Sequence, residues 1–370
     1  MNKQGLYIAS TGQHVGKTTT TLGLFSGLKK RFQTVGYMKP VGQEHVQIKK
    51  DVHIDKDVLI FKDHFHLKSG YEEMSPVLIP PGFTRDFLDA KITEHSLRNK
   101  IVHSARALFE QNQCVLFEGT GHCGVGSILN LNNAQVAALL HIPLILIVPG
   151  GLGSSFDELM LNKALCDTHG VRILGVILNR VLPEKKSMID HYMQKALSRW
   201  NLPILGSIPF DPFLSNPTMR DFEALFETRL KTGESHRLRH FKQIRLVATS
   251  VDTYRELILP NQLIITPANR EEIILATLAK HWDMKIADPT QDLKAGMILT
   301  GDYPPRHYII EELKKANIPM IYTPFHSHTA MKMITSFTAK IQTEDLEKIK
   351  EAIEVVEKHL DFDQITTLLT

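Results

Sequence analysis

The sequence predicts an α/β protein: a doubly wound, mostly parallel sheet, followed by a second, smaller α/β domain. Three observations predict it. Short runs are apolar throughout instead of alternating, as strands buried on both faces read. Helix-like stretches separate them. The rhythm breaks once, in the polar stretch ETRLKTGESHRLRHFKQ, and then restarts. In the first part the strands are GLYIAS (5–10), TVGYMK (34–39), CVLFEG (114–119), PLILIVPG (143–150), RILGVILNR (172–180) and PILGSIP (203–209). A helix over 18–32 ends in Lys29-Lys30-Arg31, which suits the negative end of a helix dipole. In the second part IRLVATS, QLIITPA, AGMILTG and PMIYTP are strands, with helices over 270–282, 307–316, 326–339 and 343–359. The stretch 216–243 reads as a linker or a peripheral helix. These breaks place the domains at 1–235 and 236–370.

Composition narrows the classes. Of 370 residues, 43% are hydrophobic and 22% charged, so the chain is globular and not disordered. A net charge of +3 argues for neither nucleic acid nor a membrane surface as partner. Cys114, Cys123 and Cys166 form no zinc spacing and no disulfide framework, which points to reduced thiols. No long apolar run precedes Gly12, and IPLILIV is far too short to span a bilayer, so a cytoplasmic location is expected.

The segment STGQHVGKTT (10–19) carries the chemistry. It ends as a phosphate-binding loop ends, with Gly16-Lys17-Thr18, but Thr11 stands where the strict pattern wants glycine and Gly12 comes one place late. The loop nevertheless follows a strand and opens a helix, and backbone N–H groups at such a turn cradle phosphate. Gly12, Gln13, His14, Val15, Gly16, Lys17, Thr18 and Thr19 are therefore the nucleotide-binding candidates. Lys17 can reach the β- and γ-phosphates, and the Thr18 hydroxyl can join a Mg²⁺ shell. The bland alternative is a glycine-containing turn with a surface lysine.

With its late glycine, LYIASTGQHVGKTTTTLGL resembles the loop of dethiobiotin synthetases and, more fully, the N-terminal P-loop domain of long bacterial phosphate acetyltransferases. The resemblance continues in order: GYMKPVGQ (36–43), DKDVL (55–59), SPVLIPPGFTRDFLD (75–89), VLFEGTGHCGVGS (115–127) and GVILNR (175–180). It implies Mg-ATP as ligand, Lys39 holding phosphate and substrate, Asp57 and Glu118 with Thr18 near the metal, and Asn179 meeting adenine. Lys17 and Lys39 are then the catalytic candidates. Glu118 closes an apolar strand at the edge where open α/β sheets bind ligands, whereas Asp57 shares its loop with Asp51 and Asp55.

Weaker candidates have equal structural readings. GGLGSS (150–155) can receive an anion or simply make a tight turn. His122, Thr84 and Arg85 can meet substrate or serve their loops. His53, His64 and His66 match no metal spacing. Gln13 and Gln43 depart from dethiobiotin synthetases on the substrate side, which argues against diaminononanoate as substrate.

LIITPANREEIILATL (263–278) and GMILTG through Ala330 resemble the DRTGG domain, with Asn269-Arg270 and Thr300-Gly301-Asp302 in place of the name motif. In the longer proteins an acetyl-transferring domain comes next, so phosphate acetyltransferase activity is not expected here. The expected function is Mg-ATP binding, coupled to carboxylate or carbamate activation with an unidentified small-molecule substrate. The alternative is a nucleotide-sensing protein that self-associates through its C-terminal domain.

Overall fold

A computed structural model describes residues 4–49 and 52–369. Asp51 lies outside them. The chain forms two compact units, 1–211 with 341–370 and 212–340.

The first unit is built on a six-stranded sheet. Its strands are β1 (Gln4–Ser10), β2 (Val35–Met38), β3 (Cys114–His122), β4 (Leu144–Pro149), β5 (Ile173–Val181) and β6 (Ile204–Pro209). They run parallel in the order β6-β5-β4-β1-β3-β2. The apolar runs read as buried strands are buried: Leu6, Ile8, Val115, Leu116, Ile145, Ile147, Val176 and Ile177 are all fully covered. From β1 the chain passes to the edge strand β2, returns to β3 beside β1 and then crosses to β4 on the other side of β1, so the end of β1 lies at a switch point, where the loops leading from neighbouring strands diverge and leave a crevice. The helix after β1 spans Lys17–Lys29, three residues shorter at its C-terminus than the sequence suggests.

The domain boundary read from the sequence is corrected at both ends. Helices Leu346–His359 and Phe362–Leu369 belong to the first unit, not to the second. The reason is glycine spacing on helix Lys17–Lys29. A Cβ on Gly23 would fall 2.3 Å from Val356, and one on Gly27 would fall 2.1 Å from the Phe362 ring, so two bare helical positions admit the C-terminal helices. Ile349, Ala352, Val356 and Ile365 are buried there. Pairs Lys30–Glu357 and Arg31–Asp363 lie at the margin.

The second unit has a four-stranded parallel sheet, β7 (Gln243–Leu246), β8 (Gln262–Pro267), β9 (Gly296–Thr300) and β10 (Met320–Thr323), in that order. Sequential order with right-handed crossovers puts the connecting helices on one face. Tyr254, Ile273, Ile274, Ile309 and Leu313 accordingly pack with Ile264, Met297 and Leu299. Met219, Phe222, Ala330 and Ile334 cover the opposite face with Ile265, Ile298 and Ile321. The stretch read as a linker or a peripheral helix thus supplies a short helix, Met219–Leu225, to this unit's core. Its apolar residues sit just ahead of the polar run that marked the break.

Among the described residues no helix is long and apolar enough to cross a membrane.

Candidate functional site: the loop after β1

The displaced glycine has a structural answer. The Thr11 N–H still bonds to the Ile147 carbonyl at 3.0 Å, so strand pairing continues through Thr11, where the strict pattern has glycine. The Thr11 hydroxyl donates to Glu158 Oε2 at 3.2 Å. The turn starts at Gly12, and its left-handed positions are His14 (φ 58°) and Gly16 (φ 83°). Gly16 has no substitute, because a Cβ there would lie 2.4 Å from Asn179 Nδ2. Helix Lys17–Lys29 has no side-chain cap and no acid in its first turn. Its leading N–H groups and positive dipole end are therefore left for an anion.

Lys17 folds back over the loop. Its Nζ donates to the Gly121 carbonyl at 2.7 Å and to Ser10 Oγ at 3.3 Å. The side chain keeps some surface at the mouth of the loop, yet its ammonium is enclosed. Burial, helped by the nearby Lys39 charge, pushes its pKa down to about 8.

Beside it lies an interlocked cluster. Glu118 is fully buried on β3. Its Oε1 accepts from Thr18 Oγ1 at 2.9 Å and from Lys39 Nζ at 3.1 Å, and its Oε2 accepts from Tyr37 OH at 3.0 Å. Lys39 Nζ also donates to Asp57 Oδ2 at 2.6 Å. Burial drives Glu118 upward, partly offset by Lys39. For Lys39 burial favours the neutral amine, but the Asp57 and Glu118 carboxylates outweigh it and hold the group charged. For Asp57 the desolvation is outweighed by Lys39, so its carboxyl sits below the usual range. Asp55 caps helix Lys56–Phe65 by accepting the Asp57 N–H at 3.0 Å. Burial raises Asp55 to about 7.

Lys17, Thr18, Lys39, Asp57 and Glu118 are thus brought together, although they come from four separate segments. Gln13 and His14 are exposed at the crest of the loop, Val15 is buried beneath it and Thr19 is partly covered. Asn179 lies under the loop: its Nδ2 donates to the Val15 carbonyl at 2.7 Å and its Oδ1 accepts from the Arg180 N–H at 2.9 Å. In this arrangement the amide braces the loop. Arg85 is exposed and Thr84 half-buried, and among the described residues no site residue is bonded to either. His122 is exposed and accepts from the Gly124 N–H. Gly150 fits a packing role, since a Cβ would come 2.4 Å from Val181 Cα.

Sequence reasoning missed Ser10, Tyr37, Asp55, Glu158 and Asn162. Asn162 donates to the Thr11 carbonyl at 3.1 Å and accepts from the Cys123 N–H at 3.0 Å, tying the loop to the segment after β3. A buried asparagine on an otherwise ordinary helix gives no sequence signal. Tyr37 did have one: it lies two residues before Lys39, so strand alternation puts both on one face.

A family model described as an AAA domain matches residues 4–218, and a DRTGG domain model matches residues 225–337. A phosphate acetyltransferase of Synechocystis sp. is 24% identical over 376 residues, covering 98% of this chain and 51% of its own. One from Pseudomonas aeruginosa is 25% identical over 381 residues, covering 96% and 51%. The ATP-dependent dethiobiotin synthetase of Xanthomonas campestris is 24% identical over 212 residues, covering 57% of this chain and 93% of its own. The chain spans about half the length of the phosphate acetyltransferases it matches. With more than half of its residues matched by the AAA-domain model, the chain belongs to that family, in its dethiobiotin synthetase-like P-loop form, and carries a DRTGG domain after it.

Proposed function

We propose that the first unit binds ATP with Mg²⁺ and promotes attack on its γ-phosphoryl group. The observation that carries this reading is the buried Lys17–Thr18–Lys39–Asp57–Glu118 arrangement at an uncapped helix N-terminus. The donor set suits magnesium. The Thr18 hydroxyl and the Glu118 and Asp57 carboxylates are hard oxygen donors, and magnesium takes one or two carboxylates together with phosphate oxygens and water. Among the described residues no three His, Cys, Asp or Glu side chains gather as a metal cage, so phosphate would complete the shell. When bound, the ion would neutralise phosphate charge. Gly16 and the first N–H groups of the helix hold the phosphates. Lys17, turning from the Gly121 carbonyl, and Lys39, fixed between two carboxylates, stabilise charge that develops on the transferred group. A carboxylate or carbamate is the acceptor class that the family resemblance supports.

The depressed Lys17 gives a direct test. With its pKa held near 8, Lys17 is partly neutral in the free protein at pH 8, and a triphosphate placed beside it restores the proton. The Lys17 contribution to Mg-ATP binding, read as the difference between wild type and Lys17→Arg, should therefore be a proton uptake at pH 8 that shrinks toward pH 6.5, where Lys17 is already charged. The dependence of calorimetric enthalpy on buffer ionisation reads this out. Lys17→Arg, which stays charged, should lack this contribution. A difference that is the same at both pH values would contradict the role given to Lys17.

A second reading, a nucleotide-sensing protein that self-associates through the second unit, is favoured by two observations. Gln13 and Gln43 stand exposed on the substrate side. The outer side of β10 is bridged by Thr232, while β7 has a strand neighbour on one side only among the described residues. An open edge invites pairing with a second copy. This reading expects diaminononanoate with bicarbonate to leave phosphate release at background, and light scattering to give at least a dimer. Stimulated turnover by a monomer would remove it.

A further inference from the structure

Cys123 and Cys166 are 43 residues apart in the sequence and meet in the fold. Cys123 follows β3, in the segment whose Gly121 carbonyl receives the Lys17 ammonium. Its N–H bonds to Asn162 at 3.0 Å, and Cys166 stands one turn further along that helix (Gly153–Thr168). Both side chains are fully buried, on backbone that the Cys123–Asn162 bond holds together within one helical turn of Cys166, and each thiol shifts the other's ionisation. Neither is used by the nucleotide chemistry above.

We propose that Cys123 and Cys166 are a reversible oxidation site, and that their disulfide controls the loop that holds Lys17. Peroxide is the oxidant class. The Cys166 thiolate attacks a peroxide oxygen, giving a sulfenic acid and hydroxide. The Cys123 sulfur then displaces the second hydroxide, so two thiols lose two electrons and two protons while peroxide becomes two waters. Cys166 is the sulfur that ionises first, because the neighbouring Cys123 thiol favours its thiolate while Cys123 itself is held protonated. Beside Cys123, Gly124, Val125 and Gly126 are half-buried and Ser127 is exposed, and opening of this segment admits the oxidant. The covalent bond is shorter than the thiol contact it replaces. It therefore draws Cys123 toward helix Gly153–Thr168 and moves the Gly121 carbonyl, two residues away, relative to Lys17. Cys114, at the far end of β3 and roughly 30 Å along the chain from Cys123, is an internal control. Burial pushes its thiol up to about 12.

The experiment treats the full chain with hydrogen peroxide, alkylates it under denaturing conditions and maps its peptides. A Cys123–Cys166 linked peptide, a mass about 2 Da lower and an alkylated Cys114 are expected. Mg-ATP affinity should fall at least about fivefold, recover with dithiothreitol and stay constant in Cys166→Ser. Three alkylated cysteines after peroxide, or a peroxide effect that persists in Cys166→Ser, would overturn the proposal. A linked peptide with unchanged affinity in a protein that binds when reduced would overturn control of the loop. Failure of the reduced protein to bind nucleotide would count against the function proposed above, while the linked peptide would still decide the thiol pair.

Discussion

Lys17→Ala is expected to abolish the stabilisation that Mg-ATP gives the wild-type protein. A ligand that binds only the folded state contributes RT ln(1 + [L]/Kd), about 2.7 kcal/mol at a hundredfold excess over Kd. For a unit of this size that is about 5–10 °C in melting temperature. Lys17 is the cation at the loop mouth, and its present acceptors, the Gly121 carbonyl and Ser10 Oγ, are neutral. They can be exchanged for phosphate oxygens without stranding a charge. The variant should fold, because no buried carboxylate depends on Lys17 for a hydrogen bond, and scanning calorimetry with and without Mg-ATP should show no shift. An unchanged shift in the variant would place the nucleotide elsewhere.

Lys39→Met is expected to have the largest effect on stability. Lys39 is the ammonium shared by Asp57 and the fully buried Glu118. Removing one partner of a buried ion pair leaves an uncompensated charge and costs about 3–5 kcal/mol. The pH dependence follows in sign. Burial already raises Glu118 above its ordinary value, and without Lys39 nothing comparable offsets it. A carboxyl raised in the folded state stabilises that state below the unfolded value and loses this as pH rises through the folded one. The deficit of the variant should therefore be small at pH 5 and grow toward pH 8. Adding Glu118→Gln should recover part of it, since the neutral amide removes the stranded charge and still meets Tyr37 and Thr18. Denaturant titrations at both pH values measure all of this. A Lys39→Met protein within about 1 kcal/mol of wild type at pH 8, or a double variant weaker than the single one, would show that the cluster is not an interdependent charge set.

Much of the fold could be read because its strands are buried on both faces. VLFE and LILIV carry no alternation, and no other soluble element explains them as well. The site could be read where chemistry forces a residue type: Gly16 because only glycine clears Asn179, Lys17 and Thr18 because phosphate and metal need a cation and a hydroxyl. What stayed hidden depends on tertiary meeting points. The C-terminal helices pack against Gly23 and Gly27, whose significance appears only once Val356 and Phe362 face them. Asn179 suggests a base-reading amide in sequence, yet its carbonyl oxygen and one N–H are engaged with the backbone of its own unit. Asn162 and the pair Cys123 and Cys166 acquire meaning only from the helix that carries the loop's supports.

The most direct measurement is calorimetric titration of wild type and Glu118→Gln with ATP, each with and without magnesium. Glutamine keeps the shape of Glu118 but not its charge: its Oε1 can still accept from Thr18 and Lys39, while its Nε2 donates to the Tyr37 hydroxyl oxygen instead of accepting from it. If Glu118 and Thr18 hold the metal beside the phosphates, magnesium should tighten ATP binding by wild type at least about tenfold and leave Glu118→Gln nearly unaffected, while metal-free affinities stay within about threefold of each other. Equal losses with and without magnesium, or a wild-type affinity that ignores magnesium, would contradict a Mg-ATP site built on Lys17, Thr18, Lys39, Asp57 and Glu118.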